Sequence, residues 1–159
     1  VRPEGIHLTL KFLGATAEEQ IGSIANAMLS ASADIGPFTL RVAGAGTFPN
    51  LRSPRVLWLG LGGDVERLKE LQAKLERALG VEGFPQENRR FSPHLTLARI
   101  NGRLPQSQSK ALALAIERLH SLEFPQIPAQ AVSLMESQLN SDGARYMRKH
   151  QVLLGGHLA

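Results

Sequence analysis

The chain has 159 residues, 43% of them hydrophobic and 20% charged, with a net charge of +4 and an isoelectric point near 10.0. This suits one globular domain or two small lobes sharing a core. There is no cysteine, which excludes disulfides, zinc–thiolate sites and cysteine nucleophiles. No apolar run approaches a membrane span and no signal-peptide pattern is visible, so the expected location is the cytoplasm.

Residues 6–13 read as a strand. Ile6, Leu8, Leu10 and Phe12 alternate with His7, Thr9 and Lys11, which predicts one core face and one polar face. Gly14 ends the run. Thr16 is placed as a helix N-cap, Glu19 completes a capping box, and Ile21, Ile24, Ala25 and Met28 keep helical spacing to about Ala33. Residues 38–43 read as a strand and 44–54 as a loop rich in Gly, Pro, Asn and Ser. Residues 56–61 read as a strand carrying the only tryptophan, Trp58. Asp64 is positioned to cap a second helix with the stripe Val65, Leu68, Leu71, Leu75 and Leu79, closed by Gly80.

A polar loop over 82–90 leads into a strand over 91–100, with Pro93 near its start, where a missing N–H is tolerated. A third helix spans 105–119 and turns Leu112, Ala115, Ile116 and Leu119 inward. A strand over 131–139, a turn at Asn140, Ser141, Asp142 and Gly143, and a strand over 145–154 form a closing hairpin.

The tetrapeptide His-Leu-Thr-Leu occurs twice, at 7–10 and 94–97. On a strand, positions i and i+2 share a face, so His7 points with Thr9 and His94 with Thr96. The copies are offset by 87 residues, and a helix, a strand and a turn follow each in the same order. This pattern is an internal duplication of a βαβαβ unit, the first copy lacking its opening strand and helix. The expected fold is therefore α+β. Two pseudo-symmetric lobes surround a central cleft, with antiparallel-rich sheets and helices on the outer faces. The whole of 1–159 is one domain. The lobe of the first motif takes about 1–54 plus C-terminal elements, the lobe of the second about 55–139, and some 30–40 residues are expected to precede Val1. A pseudo-twofold would bring two imidazoles and two hydroxyls to opposite sides of one phosphorus atom.

Basic residues flank both motifs: Arg2 and Lys11 at the first, Arg89, Arg90, Arg99 and Arg103 at the second. They favour an anionic ligand. Strand parity turns Arg99 away from His94 and favours Arg90 as a substrate contact. Phe48, in a loop bordering the cleft, is a candidate to stack on a base, while Trp58 is expected in the core. His120 is expected to meet the last carbonyls of its helix, His150 to lie in the final strand and His157 in a frayed tail.

These segments resemble a known family. Arg2-Pro-Glu4 leading into 7–14, Gly46-Thr-Phe-Pro49, Pro54-Arg-Val-Leu-Trp58, residues 90–99 and residues 134–139 before Gly143 and Tyr146 are similar to the two-histidine phosphoesterases. Within these they resemble the LigT-like RNA 2′,3′-cyclic phosphodiesterases, also described as 2′-5′ RNA ligases. The resemblance implies hydrolysis of a 2′,3′-cyclic phosphate at an RNA end to a 2′-phosphomonoester. It makes His7 the proton donor and His94 the acceptor, with the Thr9 and Thr96 hydroxyls binding the phosphate. The motifs themselves, being identical, leave the donor and acceptor roles exchangeable. No third ligand accompanies either motif, so no metal or other cofactor is expected. The expected partners are RNA ends or small nucleotides bearing a cyclic phosphate, with no membrane and a monomeric chain. Rival readings are a non-catalytic nucleotide- or RNA-binding module, and a phosphoesterase acting on another cyclic phosphate or a 2′-5′ linked oligonucleotide.

Overall fold

The computed structural model describes residues 3–140 and 143–158. Arg2, and Ser141 and Asp142 of the expected hairpin turn, lie outside the described residues. The elements in order are α1 (Ile21–Ser32), β1 (Phe38–Phe48), β2 (Val56–Gly63), α2 (Val65–Val81) and β3 (His94–Arg99). There follow α3 (Gln106–Ser121), β4 (Ile127–Ala129), β5 (Ala131–Asn140), β6 (Gly143–Leu153) and β7 (His157–Leu158). The fold is α+β, with one sheet in the order β3-β2-β1-β4 and a second in the order β5-β6-β7. Pairings β1–β2, β2–β3, β5–β6 and β6–β7 are antiparallel. Among the described residues no helix is long and apolar enough to cross a membrane.

The chain divides into two compact units that interleave in sequence. The first comprises 1–9, 40–63 and 93–127; the second comprises 10–39, 64–92 and 128–159. These boundaries are not those of the expected lobes, about 1–54 plus C-terminal elements and about 55–139. The reason is antiparallel pairing: it gathers β1, β2 and β3 laterally, so His7, Thr9, His94 and Thr96 all fall in the first unit.

In the first unit, Val42, Ala45, Leu57, Leu59, Leu95 and Leu97 cover one sheet face and pack on Leu112, Ile116 and Leu119 of α3. Leu59 and Ile116 are buried outright, and each such full burial stabilises by about 1.5–3 kcal/mol. Ala115, expected inward, is exposed, because the inward stripe of α3 is the narrower 112–116–119 row. Residues 44–48, expected as a loop, continue β1. Two glycines there serve the strand rather than break it. Gly44, at φ 82°, sits in a bulge between Val42 and Ala45. At Gly46 a Cβ would lie 2.6 Å from the Trp58 ring, so only glycine lets the indole lie across the strand. His120 meets its expected role: its Nδ1–H donates to Ile116 O at 2.8 Å, and Nε2 accepts from the Ala45 N–H at 3.4 Å.

In the second unit, Ile24, Ala27, Met28 and Ala31 of α1 pack on α2 and β6. The predicted α2 stripe is buried at Leu68, Leu71, Leu75 and Leu79. The helix does not close at Gly80. It runs one residue further, and Gly83, at φ 89°, makes the left-handed turn, with Phe84 N–H donating to Leu79 O at 3.0 Å. Asp64 stands at the N-cap position, but its Oδ2 accepts from the Thr39 N–H at 3.0 Å rather than from the helix. A 3-10 turn, Glu18–Gln20, precedes α1, so the cap shifts: Gln20 Oε1, not Glu19, accepts from the Ala17 N–H at 3.1 Å. Thr16 instead donates to Gly14 O at 3.3 Å. The closing hairpin forms as read, β5 against β6. His157 belongs to β7, paired with Leu153 on β6, where a frayed tail was expected.

Candidate active site

The run 6–13 is not a continuous strand. Its one ladder contact is an antiparallel bridge from Leu8 to Leu95 of β3. A strand needs backbone partners along its length, and beyond Thr9 the chain passes into the second unit. Ile6 and Phe12, expected in the core, are exposed, Phe12 at 72%.

That single bridge organises the motifs. Leu8 and Leu95 are equivalent residues of the two copies. An antiparallel bridge between equivalent positions is a local twofold, and its register sets His7 opposite Thr96 and Thr9 opposite His94. The leucines face the other way, Leu95 into the core against α3. Two imidazoles and two hydroxyls therefore share one face of the paired segments.

On the neighbouring strand, β2 sets Trp58 beside Thr96 and Gly60 beside His94. Trp58 is not a core residue. It lies half-buried on the motif face, its ring centroid 5.2 Å from that of Phe48. Phe48 stands edge-on to His94, with centroids 5.1 Å apart and planes at 82°. Phe48, read from sequence as a loop residue, ends β1 and lies beside His94. Sequence reasoning missed Trp58 and Gly46 as a pair. The signal was the glycine alternation at 44, 46, 60 and 62 beside a lone tryptophan, a pattern of close approach across strands.

His7 Nδ1–H donates to the Gly5 carbonyl at 2.8 Å.

Strand parity fails at Arg99. The β2–β3 register shifts between Leu57 and Trp58, leaving Leu97 as an extra residue on β3. Arg99 then pairs with Val56, on the same face of β2 as Trp58 and Gly60, so it joins the face of His94 and Thr96. Arg90 lies before β3, where alternation does not apply, in the segment assigned to the second unit. Lys11, grouped in sequence with the anion-binding residues, is committed elsewhere. Its Nζ donates to Glu76 Oε2 at 2.6 Å and to Pro85 O at 2.7 Å, with 4% of its side chain exposed. Among the described residues no three His, Asp or Glu side chains converge as a metal site.

A fold with twinned His-x-Thr segments on one face defines a class, and comparison with known proteins agrees with it. The profile of the 2′-5′ RNA ligase superfamily matches residues 2–138. The chain is 32% identical over 154 residues to an RNA 2′,3′-cyclic phosphodiesterase of Aeropyrum pernix, covering 96% of this chain and 84% of that protein. It is 37% identical over 146 residues to an RNA 2′,3′-cyclic phosphodiesterase of Methanothermobacter thermautotrophicus, covering 92% and 77%. Its fold is similar to a crystal structure from Thermus thermophilus, at TM-score 0.74 and 28% identity, covering 98% of this chain and 81% of that one. It is also similar to the E. coli LigT crystal structure complexed with 3′-AMP, at TM-score 0.69 and 26% identity, covering 95% and 78%. The chain belongs to the 2′-5′ RNA ligase superfamily.

Proposed function

We propose that this chain hydrolyses 2′,3′-cyclic phosphates at RNA ends, leaving a 2′-phosphomonoester. The observation that carries the reading is the Leu8–Leu95 bridge, which gives two histidines and two threonines one common face. The relatives named RNA 2′,3′-cyclic phosphodiesterase support the substrate.

In the proposed step, His94 as neutral imidazole accepts a proton from water as its oxygen attacks phosphorus. The bond from phosphorus to O3′ breaks, and His7 as imidazolium gives its proton to that oxygen. The products are a free 3′-hydroxyl and a 2′-phosphate. Histidine suits both roles because its ordinary pKa lies near neutrality, and each transfer contributes about 10²–10⁴-fold in rate. The Thr9 and Thr96 hydroxyls donate to the non-bridging oxygens, where charge develops. Phe48 offers its ring to the terminal base, and Arg99 supplies positive charge on the motif face. Arg90 is a weaker candidate contact, since it lies outside β3.

The test is product analysis of an oligonucleotide ending in a 2′,3′-cyclic phosphate, in the presence of EDTA. A 2′-phosphate product supports the proposal. A 3′-phosphate product reverses the assignment of the bond cleaved. Binding without turnover makes the chain a nucleotide-binding module.

A further inference from the structure

The charges of the two units differ in kind. The first unit carries eight Lys and Arg against three Asp and Glu; the second carries ten against eleven. The ion pairs Lys11–Glu76, Lys69–Glu66, Lys74 with Asp34 and Glu70, Arg89–Glu87 and Lys149–Glu136 lie in the second unit. The second unit neutralises itself, whereas the first keeps an excess of positive charge.

Three of those cations gather at one end of the motif-bearing sheet. Arg52 lies in the β1–β2 connection, Arg55 immediately precedes β2, and Arg103 follows β3. All three are exposed, and none is ion-paired among the described residues. The backbone beneath them is fixed. Arg55 N–H donates to Phe48 O at 2.7 Å, and Ile100 N–H donates to Arg55 O at 2.8 Å, which ties together the ends of β1, β2 and β3. Asn50 Oδ1 accepts from the N–H groups of Arg52 and Ser53 at 3.0 and 3.1 Å, which pins the connecting loop. Arg55 Nη1 donates to Gly102 O at 3.4 Å, drawing the loop that carries Arg103 to the same end. Four residues of β2 separate the level of His94 from that of Arg99, about 13 Å along the strand. A single phosphate at the histidines does not reach this end, but a polyanion continuing from it does.

We propose that Arg52, Arg55 and Arg103 form a tract for the phosphodiester backbone of the RNA strand that leads to the reacting end. This rests on the cyclic-phosphate reading above and adds to it: the preferred substrate is the end of a chain, not a free cyclic nucleotide. Exposed cations on a fixed scaffold hold phosphates without reading bases, so the tract adds affinity and salt dependence but no sequence preference.

The test uses Arg52→Gln combined with Arg103→Gln in the full chain. One measurement is fluorescence anisotropy with a labelled single-stranded RNA octamer, which needs no turnover. The other is kcat/KM on a 2′,3′-cyclic-ended octamer against a 2′,3′-cyclic mononucleotide. The variant should bind the octamer several-fold more weakly. Its slope of log affinity against log salt should be shallower by roughly 1.4, the counterions of two single-strand contacts. Its KM for the octamer should rise while turnover of the mononucleotide holds. Octamer binding and KM unchanged in the variant, with the mononucleotide still hydrolysed, would overturn the tract and leave the cyclic-phosphate reading standing. Weakened octamer binding in a protein that hydrolyses neither substrate would keep the tract and sink the enzymatic reading.

Discussion

Leu8 and Leu95, separated by 87 residues and equivalent in the two copies of the repeat, pair directly with each other through an antiparallel bridge. This apolar pair, facing away from the polar groups, fixes how His7, Thr9, His94 and Thr96 sit together. The catalytic proposal makes the two histidines interdependent, because one must be neutral while the other is charged.

His7→Ala and His94→Ala are each expected to lower kcat for a 2′,3′-cyclic substrate by about 10²–10⁴-fold, and the double variant by much less than the product. The rate should fall on both the acid and the alkaline side, since each limit removes one of the two required protonation states. EDTA should leave the rate unchanged. Full activity in both single variants would end the two-histidine account.

Thr9→Val and Thr96→Val keep the shape of the site and remove a donor to the developing oxyanion. Each should lower kcat by roughly 10–100-fold with little change in KM. A rise in KM alone would mean that the hydroxyls serve ground-state binding.

Gly46→Ala tests the scaffold beneath the site. The new methyl would stand 2.6 Å from Trp58 Cζ2, so the indole must move, and with it Phe48 against His94. A loss of about 1–3 kcal/mol in urea denaturation is expected, with altered tryptophan fluorescence. Unchanged emission would show that the strand, not the ring, gives way.

Lys11 and Glu76 form a buried ion pair, with 4% and 12% of their side chains exposed. Glu76 also accepts from Gln72 Nε2 at 3.1 Å and the Glu87 N–H at 3.3 Å, and Lys11 donates to Pro85 O. Removing one partner, as in Lys11→Met, should cost about 3–5 kcal/mol by leaving a buried charge unpaired. The double change Lys11→Met with Glu76→Leu should cost less than the sum of the single changes. A double-mutant cycle in urea measures this coupling, and additive losses would contradict it.

The Asp34–Lys74 pair, 2.6 Å apart, gives a pH signature. The hydrogen bond from Lys74 holds the Asp34 carboxyl below its ordinary 3.8, and the bond to Asp34 raises Lys74 above 10.5. Asp34 therefore contributes stability above the ordinary carboxylate value and loses it as pH falls through its lowered pKa. Lys74 contributes below 10.5 and loses its share as pH rises through its raised pKa. Lys74→Met should return the Asp34 titration, followed by NMR, toward 3.8, and the stability difference from wild type should vanish at both extremes of pH.

Much of this was legible in the chain. The α2 stripe at Leu68, Leu71, Leu75 and Leu79 is a local periodicity, and burial follows it. The twinned motif, with helix and strand following each copy, is visible as a repeat. What escaped was decided by pairing partners rather than by local pattern. Gly44 and Gly46 carry loop composition, but one makes a bulge and the other makes room for Trp58. The run 6–13 alternates like a strand yet finds a ladder partner only at Leu8. Arg99 was misdirected by parity because the extra residue at Leu97 exists only in register with β2. The two shortest strands, β4 and β7, carry too few residues for a period to show.

The near-symmetry of the Leu8–Leu95 bridge has a chemical corollary. Chemically identical groups related by a rotation offer a substrate the same face in either polarity, so they cannot by themselves say which oxygen departs. Direction must come from what the rotation does not repeat: the strand β2, which flanks the second copy of the motif, and the Phe48 ring set edge-on to His94.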